Sequence, residues 1–185
     1  AYKDDPAIAA VLITNENDIT NHFGNILLGD KDVPKHSKVY MAEAEAFARQ
    51  HNLSSNQTWR AWEYGASKMF LNDLERRFNV DMIQHLRDLG VKVPIATTNS
   101  WGGDGLVALP ALTSGDVIDA HSYGGLGQLE KNPLTSPGIV NWIGAAQVSG
   151  KPLTVTEWNS EPFPTPDRHA VPLYLAGTAR YQGWD

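Results

Sequence analysis

The feature that most restricts this fold is an alternation. Short apolar or β-branched runs, each ending in polar residues, are separated by stretches with helical spacing. Ala7-Ile-Ala-Ala-Val-Leu-Ile-Thr14 is an almost continuous apolar run, the pattern of a strand buried on both faces. Asn15-Glu16 follows it, then a long loop to about Lys35 rich in Gly, Asn and Asp, of a length that is often functional. Ser37 caps an expected helix to about His51, with Tyr40, Ala44, Phe47 and Ala48 on one face. The stretch from Asn52 to Gly65 is irregular and aromatic, with Trp59, Trp62 and Tyr64. It also carries two glycosylation sequons by pattern, Asn52-Leu-Ser54 and Asn56-Gln-Thr58, too short to weigh heavily.

A second helix is expected from Ser67 to Leu89. Phe70, Leu74, Phe78, Met82 and Leu86 form its apolar stripe, and Gly90 is its stop. Val91–Thr98 reads as the next strand and ends at Asn99-Ser-Trp101. A short helix from Leu106 to Leu112, a strand from Asp116 to Tyr123 and a helix from Pro137 to Val148 follow. After the Gly150-Lys-Pro152 turn, Leu153-Thr-Val-Thr-Glu157-Trp-Asn159 reads as a strand delivering a carboxylate at its end. Pro166-Asp167 leads into a last helix to about Gly177, and Ala179–Asp185 reads as a final strand. The order β–α–β–α–β–α–β–α–β implies parallel strands with helical crossovers, in one domain over residues 1–185.

Composition excludes several functions. A net charge of −6 argues against nucleic acid and anionic membrane surfaces as partners. The chain has no cysteine, so neither disulfides nor thiolate chemistry is open to it. No apolar run approaches the ~20 residues of a membrane span. There is no Gly-rich phosphate loop and no Gly-x-Ser-x-Gly elbow. His22, His121, Asp119 and the glutamates are metal-ligand types but lack His-x-x-x-His or comparable spacing, so no metal site is expected.

The polar residues concentrate at the expected strand ends: Asn15-Glu16, Asn99 and Trp101, His121 and Tyr123, Glu157-Trp158, and Gln182 with Trp184. A barrel gathers the C-terminal ends of all its strands on one face. Glu16 and Glu157 then form a carboxyl pair suited to glycosidic bond cleavage, in which one carboxyl gives a proton and the other attacks. His121 and Tyr123 alternate onto one side of their strand, where the hydroxyl can orient the nucleophile and the imidazole can bond a sugar hydroxyl. Trp101, Trp158 and Trp184, three of six tryptophans, offer stacking floors for sugar rings.

Asn15-Glu16 after a buried strand, Asp119-x-His121-x-Tyr123, Thr156-Glu157-Trp158-Asn159 and the terminal Gly183-Trp184 resemble strands four to eight of the clan A (β/α)8 glycoside hydrolases. These are the retaining enzymes related to cellulases and β-galactosidases. The resemblance implies Glu16 as acid/base, Asn15 as a contact to the sugar 2-hydroxyl, and Glu157 as nucleophile. It implies His121 and Tyr123 as the His and Tyr of strand six and Trp184 as the platform under the reacting sugar. It implies a carbohydrate substrate and no cofactor.

A whole barrel of this kind has ~250 residues, and nothing here corresponds to its first three strands. The expected fold is therefore α/β, a partial TIM barrel of five parallel strands, half-barrel-like. Its two outer strands would have unpaired edges, which predicts a homo-oligomer covering them. The alternative reading is a non-catalytic carbohydrate-binding fragment, or an inactive barrel fragment that self-associates. Sugar binding without turnover would select the former.

Overall fold

The protein was analysed as a computed structural model, which describes residues 3–22, 34–54, 58–60, 63–101, 105–125, 135, 138–161, 164 and 168–184. In chain order the elements are β1 (Val11–Leu12), α1 (Ile19–His22), α2 (Pro34–Gln50), α3 (Ala66–Asp88), β2 (Ile95–Ala96) and β3 (Asn99–Ser100). A 3₁₀ turn (Gly105–Val107) leads to α4 (Leu109–Leu112), β4 (Ile118–Gly124), α5 (Ile139–Ala145), β5 (Leu153–Ser160) and α6 (Val171–Gln182). All strand pairs are parallel, β1 with β2 in one sheet and β3-β4-β5 in the other. The chain passes from β2 to β3 through Thr97 and Thr98 alone, so neighbouring strands follow the order of the sequence.

β4 is buried at every position but Tyr123, because it is covered on both sides. Ile118 and Ala120 turn to the helices and share a core with Leu112, Ile139, Ile143, Leu153, Val171 and Leu175. Asp119, His121 and Tyr123 take the opposite face, as the two-residue repeat of a strand requires. Gly115 lets this strand start close to β2. A Cβ there would stand 2.9 Å from the Ile95 carbonyl oxygen.

A second core joins α2 to α3. Tyr40, Ala44, Phe47 and Ala48 are the buried residues of α2, the stripe expected from their spacing. They meet Phe70, whose ring receives Tyr40 edge-on at 5.3 Å and Trp59 edge-on at 6.0 Å between centroids. The Tyr40 hydroxyl donates to the Trp59 carbonyl at 2.9 Å, and burial pushes its pKa up to about 12.

Several sequence expectations are corrected. The run Ala7–Thr14 is not a strand buried on both faces: only Val11–Leu12 is strand, residues 7–10 are exposed, and Ile8 turns back to the Asp5 carbonyl. The expected fifth strand, Ala179–Asp185, is not formed among the described residues: Ala179–Gln182 is the end of α6, which runs through Gly177 and stops at Gly183 in a left-handed conformation of φ 72°, and Asp185 lies outside the described residues. The loop after Glu16 contains α1, while its stretch 23–33 lies outside the described residues, as do Trp62, Asn56 and Pro166-Asp167. Among the described residues no helix is long and apolar enough to cross a membrane.

Candidate functional site

Glu16 follows β1 with a left-handed backbone, φ 47°, which a glutamate adopts at a cost. Side chains at the junction of β2 and β3 hold it there. The Glu16 N–H donates to Asn99 Oδ1 at 2.7 Å, and the next N–H, of Asn17, donates to Thr98 Oγ1 at 3.1 Å. Asn99 is fully buried, and its amide nitrogen donates in turn to Asp119 Oδ2.

From this anchor the Glu16 carboxylate reaches across to β4. Its Oε1 stands 2.7 Å from His121 Nδ1, and Glu157 Oε2 stands 3.5 Å from the same nitrogen. The His121 side chain is 1% exposed, while those of Glu16 and Glu157 are 29% and 39% exposed, so the two carboxylates face solvent in front of a buried imidazole. The Tyr123 hydroxyl donates to Glu157 Oε2 at 3.1 Å. Partial desolvation, then this hydrogen bond and the charges of Glu157, Glu16 and Glu161, raise the Tyr123 pKa above its ordinary value. The hydroxyl therefore keeps its proton and remains a donor.

A β-bulge aims Glu157. The β4–β5 register runs Asp119↔Thr154 and Ala120↔Val155, then shifts to His121↔Glu157 and Ser122↔Trp158. Thr156 is the extra residue. With strict alternation Glu157 would share the helix side with Leu153 and Val155, and Trp158 would face the site. The bulge exchanges them. Thr154 and Thr156 both donate to Asp119 at 2.6 Å, Glu157 meets His121, and Trp158 packs against the helical core.

The sequence-predicted residues therefore separate into two groups. Glu16, His121, Tyr123, Glu157 and Asn99 come together, with Asn15 exposed beside Glu16. Asn99 commits both ends of its amide to the protein, so it holds Glu16 and is not free to bind a sugar. Trp158 and Trp184 pack on the helical core, and the Trp184 indole N–H donates to Gln147 at 3.2 Å, away from the carboxylates. Trp101 is half-buried at the end of β3, where its carbonyl accepts from the Asn21 amide at 3.4 Å.

Asp119 and Thr156 were missed as site residues. A threonine every second residue on β5, opposite Asp-x-His-x-Tyr on β4, was the available signal. One ligand atom from each of Glu16, His121 and Glu157 lies within 4.8 Å of the other two, so these three are the described residues that could hold a metal ion. An ion there would have to displace the 2.7 Å contact between His121 Nδ1 and Glu16. No family model matches the chain, and no curated protein or solved structure matches it either.

Proposed function

We propose that this chain is a retaining glycoside hydrolase acting on β-glycosides, built on a partial (β/α) barrel. The observation that carries the reading is the approach of two solvent-facing carboxylates, Glu16 and Glu157, to within 4.8 Å. Retaining enzymes place their carboxyls ~5–5.5 Å apart, and inverting enzymes ~6.5–9.5 Å apart to admit a water between them. Parallel strands in sequential order support the barrel part of the reading, with Glu16 beyond β1 and Tyr123 near the C-terminal end of β4, while His121 and Glu157 stand mid-strand in β4 and β5.

Glu157 attacks the anomeric carbon while its carboxylate accepts the Tyr123 hydroxyl bond, which fixes its orientation. The anomeric C–O bond breaks as Glu16 gives its proton to the leaving oxygen. Glu16 then takes a proton from water, whose oxygen displaces Glu157 and frees the sugar. This chemistry calls for no cofactor. Asn15, exposed beside Glu16, is available to a sugar hydroxyl.

Turnover of an activated aryl β-glycoside tests the reading. Glu157→Gln is expected to abolish it. Glu16→Ala is expected to spare the first step with a good leaving group and to slow release of the intermediate by roughly 10²–10⁴-fold. An unchanged rate in Glu157→Gln would remove Glu157 as nucleophile. Sugar binding with no turnover in the unaltered protein would select a carbohydrate-binding role instead.

A further inference from the structure

Two residues behind the carboxylates take no part in the reaction as described above: Asp119, which is 1% exposed, and Thr156. We infer that Asp119, acting through Thr156, keeps a proton on His121 Nε2 and so makes His121 Nδ1 and Glu16 joint holders of one further proton, the one given to the leaving group. The use of that proton rests on the proposed hydrolase reading. The count that places it does not.

Asp119 receives three donors. The Thr154 hydroxyl reaches Oδ1 at 2.6 Å, the Thr156 hydroxyl reaches Oδ2 at 2.6 Å, and the Asn99 amide also reaches Oδ2. A carboxylate that takes three donors is acting as an acceptor only. The single proton of the Thr156 hydroxyl is thereby committed to Asp119. Thr156 Oγ1 can then only accept from its other neighbour, His121 Nε2, at 2.9 Å. Nε2 must carry a hydrogen.

Nδ1 is left facing Glu16 Oε1 at 2.7 Å. Two bare lone pairs at that separation repel, so one proton lies between them, on Nδ1 or on Glu16. The network closes on itself. It leaves Glu16 by the backbone N–H to Asn99, passes through Asp119, Thr156 and His121, and returns to the Glu16 carboxylate. The titratable groups around the imidazole are Glu16 from the loop after β1, Asp119 from β4 and Glu157 from β5, with Tyr123 reaching it through Glu157. The neighbouring β3 and α5 contain none.

In the reaction the shared proton leaves with the glycosidic oxygen as its C–O bond breaks. His121 remains as the neutral Nε2–H imidazole and Glu16 as a carboxylate. The water of the second step returns one proton to the pair, so the cycle balances without another reactant. Asp119 and Thr156 are positioning residues here, since neither touches the sugar.

Nitrogen-15 NMR of the His121 ring in the full chain tests this directly. The unaltered protein is expected to show a protonated Nε2. Thr156→Val, at an exposed position, removes the nearer acceptor and leaves Nε2 only the longer 3.4 Å approach to Asp119 Oδ2, and the ring is expected to switch to the neutral Nδ1–H tautomer. Asp119→Asn frees the Thr156 proton to point at Nε2 and is expected to give the same switch. Thr156→Ser restores the hydroxyl and is expected to restore the Nε2–H form. An unprotonated Nε2 in the unaltered protein, or a tautomer unchanged by Thr156→Val, overturns the inference. An inactive chain with the expected tautomers would overturn only the hydrolase reading.

Discussion

Glu16 shows what a non-glycine residue must be given to present its carboxylate from a strained loop position. Its left-handed backbone, φ 47°, costs a non-glycine residue about 1–2 kcal/mol. The bonds from Asn99 and Thr98 to successive N–H groups offset that cost and turn the carboxylate toward His121. The same loop meets a second unusual carboxyl. Glu75 on α3 is 3% exposed and accepts from both the Thr20 N–H and the Thr20 hydroxyl, fastening α1. Asn17, next to Glu16, and Glu75 line one cavity of about 290 Å³. Burial, aided by the charge of Asp18 and opposed by the Thr20 bonds, pushes the Glu75 pKa from 4.5 up to about 7. A rise of that size corresponds to roughly 3 kcal/mol of preference for the neutral form. Below pH 4.5 both folded and unfolded chains are protonated and the stabilisation is complete. As pH rises toward about 7 the unfolded chain has already ionised, and the stabilisation is lost. Glu75→Gln is expected to flatten the stability profile between pH 4.5 and 7 and to raise stability above pH 7. Urea unfolding at pH 5 and pH 8 checks this, and an unchanged difference between the two pH values counts against it. From the sequence, Glu16 and Glu157 were legible because each ends a β-branched or apolar run. The parts played by Asn99, Glu75 and Asp119 were not, because each depends on a partner 20 to 83 positions away.

At the scale of elements, the errors of the sequence reading have geometric causes. The stripe expected on α3 recurs every fourth residue, but an α-helix turns about 100° per residue, so each such step drifts by about 40°. Phe70 is accordingly fully buried while Phe78, two steps on, is 48% exposed. The buried side is instead Ser67, Phe70, Leu71, Glu75 and Asn79, and Asn79 uses its amide to cap the Ala111 carbonyl at 3.2 Å. In α2 the chosen residues mix three- and four-residue steps, drift little, and match the buried set. Gly177 does not stop α6, because a glycine inside a helix costs only ~1 kcal/mol, which packing of Val171 and Leu175 outweighs. The bulge at Thr156 lies beyond any reading by alternation, and it moves Trp158 from the expected sugar platform to the core. Trp158→Ala is therefore expected to lower stability by roughly 2 kcal/mol, below the ~3–5 kcal/mol of a fully buried tryptophan. It is expected to leave sugar affinity within about twofold, since loss of a stacked ring would cost more. Chemical unfolding and a sugar titration on the same variant separate the two. A large loss of affinity at unchanged stability would return Trp158 to the site.

The whole molecule leaves both ends of its strand order open among the described residues. β1 pairs only with β2, and β5 only with β4. Unpaired strand edges recruit other strands. Beside β5, α6 keeps Leu173 at 80% and Tyr181 at 87% exposure. We propose that a second copy of this chain covers these surfaces. Because every pair is parallel, β1 of one copy can extend the sheet from β5 of the other, and two-fold symmetry makes the second seam identical. The chain crosses the strand order four times if β2 and β3 are counted as one pass, so two copies would supply eight, the number that closes a (β/α)8 barrel. The β1 edge offers a selective test. Val11 donates to the Pro94 carbonyl and Ile13 to the Ala96 carbonyl, so in a parallel ladder the Leu12 N–H points away from β2, toward the open side. Leu12→Pro removes that outward donor and leaves the β1–β2 bonds in place. Sedimentation is expected to show a dimer for the unaltered chain and a folded monomer for Leu12→Pro. A monomer in both cases removes the seam. If the Leu12→Pro monomer keeps full turnover, the carboxylate site is complete within one chain. If turnover falls with the dimer, the second copy holds the loop that carries Glu16 against β4, and assembly becomes part of the mechanism.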